Sequence, residues 1–254
     1  MSRLVIENGY KSIKNGIDET RILLDHIQLT IEPGEFITVV GGNGAGKSTL
    51  FNTISGSLPL TSGKIKINDT DVTLKAEEAR ARYIARVFQD PKMGTAGRMT
   101  VAENLLLAEK RGQHRGLVPR KIAARKEYFY SLCQRIGNGL ENHLDTPTGN
   151  LSGGQRQALS LLMATLTKPE LLLLDEHTAA LDPKTSKNLM ALTNEMVTAE
   201  NLTCLMITHH MEDALQYGNR LILMKKGQIA KDLSAAEKAQ LTLPELLLFF
   251  EDDL

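Results

Sequence analysis

GGNGAGKST, residues 41–49, fits the phosphate-binding pattern G-x-x-x-x-G-K-[ST] at each fixed position: Gly41, Gly46, Lys47 and Ser48. Phe36-Ile-Thr-Val-Val40 before it is a short, apolar, β-branched run that predicts a buried strand. Leu50-Phe-Asn-Thr-Ile54 after it can begin a helix. Strand, glycine-rich loop and helix together are the context that separates this motif from a chance glycine-rich turn. In such a loop the backbone N–H groups of Asn43, Gly44, Ala45, Gly46 and Thr49 can face a phosphate. The start of the helix favours the negative charge. Lys47 is expected to reach the β- and γ-phosphates of a nucleotide, and the Ser48 hydroxyl to ligate Mg²⁺.

The composition is that of a globular protein with a good core: 254 residues, 42% hydrophobic and 24% charged. Thirty basic and thirty acidic residues balance, so no nucleic-acid or anionic-membrane footprint is expected. Cys133 and Cys204 lie far apart without metal-ligand spacing and read as small core fillers in a reducing cytosol. The N-terminal MSRLVIENGY does not read as a signal peptide, and no apolar run approaches the ~18 residues of a membrane span. If the protein acts at a membrane, another chain must supply the membrane part.

Outward from the loop, Leu4–Glu7 and Leu23–Ile31 read as strands, with the polar stretch Lys11–Arg21 as their connection. Lys64–Asn68 alternates like an edge strand, Ala76–Arg82 reads as a short helix, and Ile84–Phe88 as a strand ending at Gln89. Asp90–Met99 reads as a loop. Thr100-Val-Ala-Glu103 is a capping box opening a helical region that runs to about Gly137, broken near Gly112–Pro119. Its basic residues Lys110, Arg111, Arg115, Arg120, Lys121, Arg125 and Lys126 read mainly as a solvated face, with a partner or lipid contact as the alternative. A helix is expected from about Arg156 to Thr167. Leu171–Leu174, ending in Asp175-Glu176, reads as a fully buried parallel strand. Further on come a helix over Pro183–Thr198, a strand over Leu202–Ile207 ending at Thr208-His209, and a helix over Met211–Tyr217. A hairpin over Arg220–Met224 and Gln228–Ala230 follows, then a tail from Ser234 that ends in a helix near Pro244–Glu251. Strands alternating with helices around a phosphate loop imply an α/β fold with a mostly parallel sheet.

Leu151-Ser-Gly-Gly-Gln155 is a second anion-favouring helix start, far downstream of Lys47. Two such starts in one chain suggest two copies meeting head to tail, each site completed by the other. Here the sequence resembles the ATP-binding subunits of ABC transporters, over nearly its whole length. LSGGQ is similar to that family's signature motif, GGNGAGKST to its Walker A loop and LLLLDE (171–176) to its Walker B strand. Gln89 resembles its Q-loop glutamine, Ala180-Leu181-Asp182 its D-loop and His209 its switch histidine. The resemblance implies a P-loop NTPase core (1–89 and 165–232) with an N-terminal antiparallel β subdomain. It also implies an inserted helical subdomain (90–164) and a short helical tail (233–254), all within one ATP-binding domain.

The resemblance also implies roles. Asp175 would hold Mg²⁺ with Ser48 and Gln89. Glu176 would polarise the attacking water, a contribution of about 10²–10⁴-fold. His209 would contact the γ-phosphate and hold Glu176 in line, with His210 beside it as a rival. His177 reads as a loop residue rather than a catalyst. Gln89 would sense the metal and the water and link the core to the helical region. Ser152, Gly153, Gly154 and Gln155 would meet the ATP of a partner copy, and Asp182 would sit at the seam while capping the helix at Pro183. The family stacks adenine on an aromatic residue just after the first strand. The aligned position here is Ile13, with Tyr10 nearby, so the adenine contact stays open between Tyr10, Ile13 and another residue. Stacking contributes roughly 0.5–1.5 kcal/mol beyond area burial.

One phosphate loop and one signature separate the chain from translation factors with paired cassettes, and an unsplit cassette separates it from coiled-coil repair ATPases. VFQDPKMGTAGRMTVAENLLLAEKRG and LLMATLTKPELLLLDEHTAALDPKT resemble the ATPases of bacterial importers for tryptophan, tyrosine or related small solutes. The expected partners are a second copy or a paralogous cassette, integral membrane permease subunits and, indirectly, a solute-binding protein. The expected place is cytoplasmic, at the inner face of the membrane. A soluble ABC ATPase working on a cytosolic complex, a nucleotide-gated scaffold, and an exporter or lipid-trafficking subunit are the alternatives.

Overall fold

The computed structural model describes residues 3–15, 19–113 and 121–251. Two sheets organise it. The first is antiparallel and is built from β1 (Leu4–Asn15), β2 (Glu19–Ile31), β4 (Ser62–Ile67) and β5 (Thr70–Asp71), in the order β2-β1-β4-β5. The second has the order β10-β9-β3-β8-β7-β6. It comprises β3 (Phe36–Gly41), β6 (Ile84–Val87), β7 (Leu171–Asp175), β8 (Cys204–Ile207), β9 (Arg220–Lys225) and β10 (Gln228–Leu233). All its pairings are parallel except β9 with β10. That hairpin turns through Lys226 and Gly227, both at positive φ, the geometry of a tight two-residue connection.

The continuous leucines of β7 are explained by cover on both faces. Leu171 and Leu173 join Ile37, Val39, Phe51, Leu205 and Ile207 in a cluster that reaches the antiparallel sheet. Leu172 and Leu174 join Val87, Leu161, Leu189 and Met206 on the other face. Cys133 and Cys204 are both free and buried, and burial pushes the Cys133 thiol up to about 12.

The helices are α1 (Lys47–Ser55), α2 (Glu77–Arg80), α3 (Pro91–Gly94), α4 (Val101–Glu109), α5 (Ile122–Gln134), α6 (Gly153–Thr165), α7 (Pro183–Ala199), α8 (Met211–Gln216), α9 (Ala235–Gln240) and α10 (Leu243–Glu251). The Thr100–Glu103 capping box opens α4 as expected, with both reciprocal hydrogen bonds formed. α4, α5 and α6 enclose their own core around Leu105, Phe129, Leu140 and Leu159. No helix among the described residues is long and apolar enough to cross a membrane.

Three expectations need correction, and the tail gains an element. The Lys11–Arg21 stretch is not a simple connection: β1 and β2 continue their ladder through it, pairing Lys11 with Leu24 and Lys14 with Thr20. Asp90–Met99 contains the short helix α3, capped by the Asp90 side chain on the Lys92 N–H. The tail carries α9 ahead of α10, opened by a Ser234–Glu237 capping box. Arg111 is not on a solvated face. Its guanidinium donates to the carbonyls of Ala164 (2.7 Å) and Thr167 at the end of α6, and burial pushes it below the usual arginine range. Arg115 and Arg120 lie outside the described residues.

Candidate functional site

The phosphate loop leaves β3 at Gly41 and enters α1 after Gly46. At Gly41 a Cβ would lie 2.4 Å from the Met224 carbonyl oxygen. Gly46 has φ 101°, and a Cβ there would lie 2.9 Å from the Leu23 carbonyl oxygen. Both glycines therefore let the loop pack against β2 and the β9–β10 hairpin, which fixes its course. The Lys47 ammonium donates to the Gly41 and Gly42 carbonyl oxygens at 2.6 and 3.0 Å. Burial lowers its pKa from the ordinary lysine value, while the carboxylates of Glu176 and Asp175 pull it back up.

β8 lies between β3 and β7 in the sheet. The carboxyl ends of these three parallel strands therefore meet at one edge, where α/β sheets bind ligands. β3 delivers the loop, β7 delivers Asp175 and Glu176, and β8 delivers His209 two residues past its end. A cavity of about 210 Å³ is lined by Arg21, Leu23, residues 43–49, Glu176 and His209. The Glu176 Oε1 and His209 Nε2 atoms are 2.6 Å apart. Glu176 has φ 48°, and its N–H donates to the Ile207 carbonyl at 3.1 Å.

The other anticipated residues are arranged around this centre. Asp175 Oδ2 accepts from an Arg86 terminal nitrogen at 2.5 Å. Gln89 is exposed just past β6 and does not line the cavity. His210 is exposed outside the cavity, its N–H on the Thr208 hydroxyl at 3.0 Å. His177 stands in the turn after β7, outside the cavity, but its ring does not face solvent. It is buried against Thr193 (3.0 Å), and burial pushes its pKa down to about 4, so the ring is neutral.

Ser152, Gly153, Gly154 and Gln155 lie away from the cavity of their own chain. Ser152 caps α6 in a reciprocal box with Gln155, both bonds 3.2 Å. This helix start lies beside Leu181 and Thr185. Asp182 caps α7 by accepting from the Thr185 N–H at 3.1 Å. The hydrogen bonds to Thr185 hold the Asp182 carboxyl below the usual range. Tyr10 and Ile13 are absent from the cavity lining. The Tyr10 ring lies 5.3 Å from that of His26, and Ile13 sits opposite Arg21 in the β1–β2 ladder.

Two cations escaped the sequence reading. Arg21 lines the cavity, from a stretch whose polar composition read as a connection. Arg86 sits beside Asp175; a charge inside a short parallel strand was the signal that could have found it.

A second, larger cavity of about 1060 Å³ runs between the sheet and the helical region. Arg82, Arg86, Phe88, Leu107, Lys110 and Met163 are among its walls.

The ABC transporter family model matches residues 24–179. The tyrosine transport ATP-binding protein of Clostridioides difficile is 45% identical over 248 residues, which is 98% of each chain. The phosphonates import ATP-binding protein PhnC of Lactococcus lactis subsp. cremoris is 35% identical over 243 residues, covering 94% of this chain and 96% of the relative. The dimeric post-hydrolysis structure of the ATP-binding cassette MJ0796, bound to ADP and Pi, superposes with a TM-score of 0.78 at 26% identity. It covers 91% of this chain and 98% of its own. The family match spans the loop at 41–49, the helix start at 152–155 and the strand end at 175–176, and the chain is a member of the ABC transporter family, an importer-type ATP-binding subunit that hydrolyses ATP.

Proposed function

We propose that two copies of this chain close around two ATP molecules and drive uptake of tyrosine or a related small solute through a separate membrane permease. The observation that carries the reading is the convergence of Lys47, Glu176 and His209 on one cavity at the carboxyl edge of β3, β8 and β7. Lys47, already facing the loop carbonyls, would turn to the β- and γ-phosphates. Glu176, aimed by His209, would take the role of water-positioning base. Ser152, Gly153, Gly154 and Gln155 would meet the ATP of the other copy, with Asp182 at the seam. Their absence from the lining of the chain's own cavity supports that division. Arg21, which lines the cavity, and Ile13, opposite it in the β1–β2 ladder, are the candidates for the adenine face, since a guanidinium plane can stack as an aromatic does.

The donors near the loop suit Mg²⁺ carried with the nucleotide. The Ser48 hydroxyl and Asp175 carboxylate are hard oxygens, and Mg²⁺ commonly takes one or two carboxylates plus substrate phosphates. Gln89 would join them from the end of β6. The ion would spread the charge of the β- and γ-phosphoryl oxygens. The 1060 Å³ cavity, with Met93 exposed on α3 beside it, is the proposed seat of the permease. It would hold the cassette at the cytoplasmic face of the membrane.

The test is a tagged Glu176→Gln protein. Hydrolysis should fall by about 10²–10⁴-fold. The protein should run as a dimer only with ATP, and it should recover a polytopic membrane protein from gently solubilised membranes. A variant that stays monomeric with ATP would overturn the sandwich. Recovery of soluble partners alone would move the chain to a cytosolic assembly.

A further inference from the structure

Two arginines lie near α1, Arg80 buried and Arg86 half-buried, and they are satisfied very differently. Arg80 is 1% exposed and donates to four backbone carbonyls: Lys75 (2.8 Å), Thr53 (2.7 Å), Ile54 (2.8 Å) and Thr73 (2.9 Å). Those bonds close the end of α1 and leave no donor nitrogen of the guanidinium free. Arg86 is a contrast. One terminal nitrogen donates to Asp175 Oδ2 at 2.5 Å and the other to Asn52 Oδ1 at 2.8 Å. Its Nε is buried without a partner, and the guanidinium carbon lies 4.8 Å from the centre of the Phe88 ring. An arginine kept only as a staple would use that Nε, because an orphaned buried donor is costly. The side chains of Arg86 and Asp175 are 11% and 14% exposed, so the pair is poorly screened by solvent.

Arg86 touches three elements that the site depends on. Asn52 is on α1, which opens with Lys47. Asp175 ends β7. Phe88 precedes Gln89. Around the loop, the carboxylates of Asp175 and Glu176 both act on Lys47, and Glu176 is engaged with His209. With Arg86 counted, the two carboxylates act on two cations, Lys47 and Arg86, while Arg21 lines the same cavity.

We propose that Arg86 is the counter-cation of Asp175. It keeps one oxygen of that carboxylate paired, so that the protein has little attraction for a divalent cation until nucleotide phosphates add their own negative charge. Arg86 is thus a positioning residue that ties metal entry to nucleotide entry. This rests on the reading that Asp175 helps to hold the metal of the nucleotide complex.

The experiment measures Mn²⁺, as a visible substitute for Mg²⁺, retained by the protein on equilibrium dialysis with and without ATP. The proteins are wild type, Arg86→Met, Arg86→Lys and the double variant Arg86→Met, Asp175→Asn. Without nucleotide, Arg86→Met should retain Mn²⁺ at least tenfold more tightly than wild type. Arg86→Lys should resemble wild type, and the double variant should lose the gain. Arg86→Gln keeps a donor for Asn52 and carries the same expectation if the methionine variant does not fold. A purely structural Arg86 would change the melting midpoint and leave nucleotide-free Mn²⁺ retention where it was. No gain in Arg86→Met and Arg86→Gln, with wild type still retaining Mn²⁺ when ATP is added, overturns the role of Arg86 and spares the metal reading. Absence of ATP-dependent Mn²⁺ retention by wild type overturns both.

Discussion

Glu176 holds a left-handed backbone, φ 48°, at a cost of about 1–3 kcal/mol for a residue with a side chain. The same turn sends its carboxylate to His209 and sends the next side chain, His177, inward beneath α7. His177 makes a testable contribution to stability. Its pKa is near 6.5 when unfolded and about 4 when folded, so between those values the unfolded chain binds more protons. Stability is therefore full above the unfolded value and falls as pH drops from about 6.5 toward 4, by on the order of 3 kcal/mol. Urea titrations across that window should show a shallower acid loss for His177→Gln than for wild type. An identical slope in the two proteins would show that another group carries the acid sensitivity. Residue roles of this kind are only partly legible in a sequence. Lys47 and Glu176 stand in motifs with fixed spacing. His177 and Arg111 owe their surroundings to α7 and α6, which pack against them from distant parts of the chain.

α6, expected from about Arg156, starts at Gly153, but a helix start is legible where its cap is a local matter of hydrogen bonds between neighbours. Thr100–Glu103 is such a case, and the Ser234–Glu237 box ahead of α9 carries the same local signal. Ser152–Gln155 is the box for which a role at the partner's ATP is proposed. Ser152→Ala should cost about 1 kcal/mol in chemical denaturation, and Ser152→Thr, which keeps an accepting hydroxyl, should recover most of it. The same stability for serine and alanine would mean that the box contributes nothing to α6. The outer parts of β1 and β2 were illegible for a physical reason. Their pairings, such as Ser12 with Ile22 and Lys14 with Thr20, carry polar residues on the ladder, and the register shifts near Gly9 and Lys11 break the period of two. Backbone hydrogen bonding sustains the arm where no hydrophobic alternation announces it.

Across the whole molecule, parallel-sheet topology followed from strand–helix alternation, while the way the tail is used did not. Leu246 of α10 is fully buried with Val40, Ala214, Leu221 and Leu223. α10 therefore rests on α8, which begins immediately after His209-His210, and on the strand that carries the phosphate loop. Leu246→Ala should cost about 2–5 kcal/mol by the cavity it leaves, read as a lowered urea midpoint with an unchanged slope. A loss below about 1 kcal/mol would mean that the tail can collapse into the gap. The strand order has another outcome, in the time domain. In the sheet, β3 is flanked by β8 and β9, and about 160 residues separate Gly41 from the start of β8 at Cys204. At roughly 5–20 residues per second of synthesis, β3 emerges about 8–30 s before either neighbour exists. A nascent chain thus carries an apolar strand with two unpaired edges, and its nucleotide pocket cannot close until β8 and His209 have been made. Ribosome-bound intermediates shorter than β8 should need chaperone cover, and nucleotide cannot rescue them.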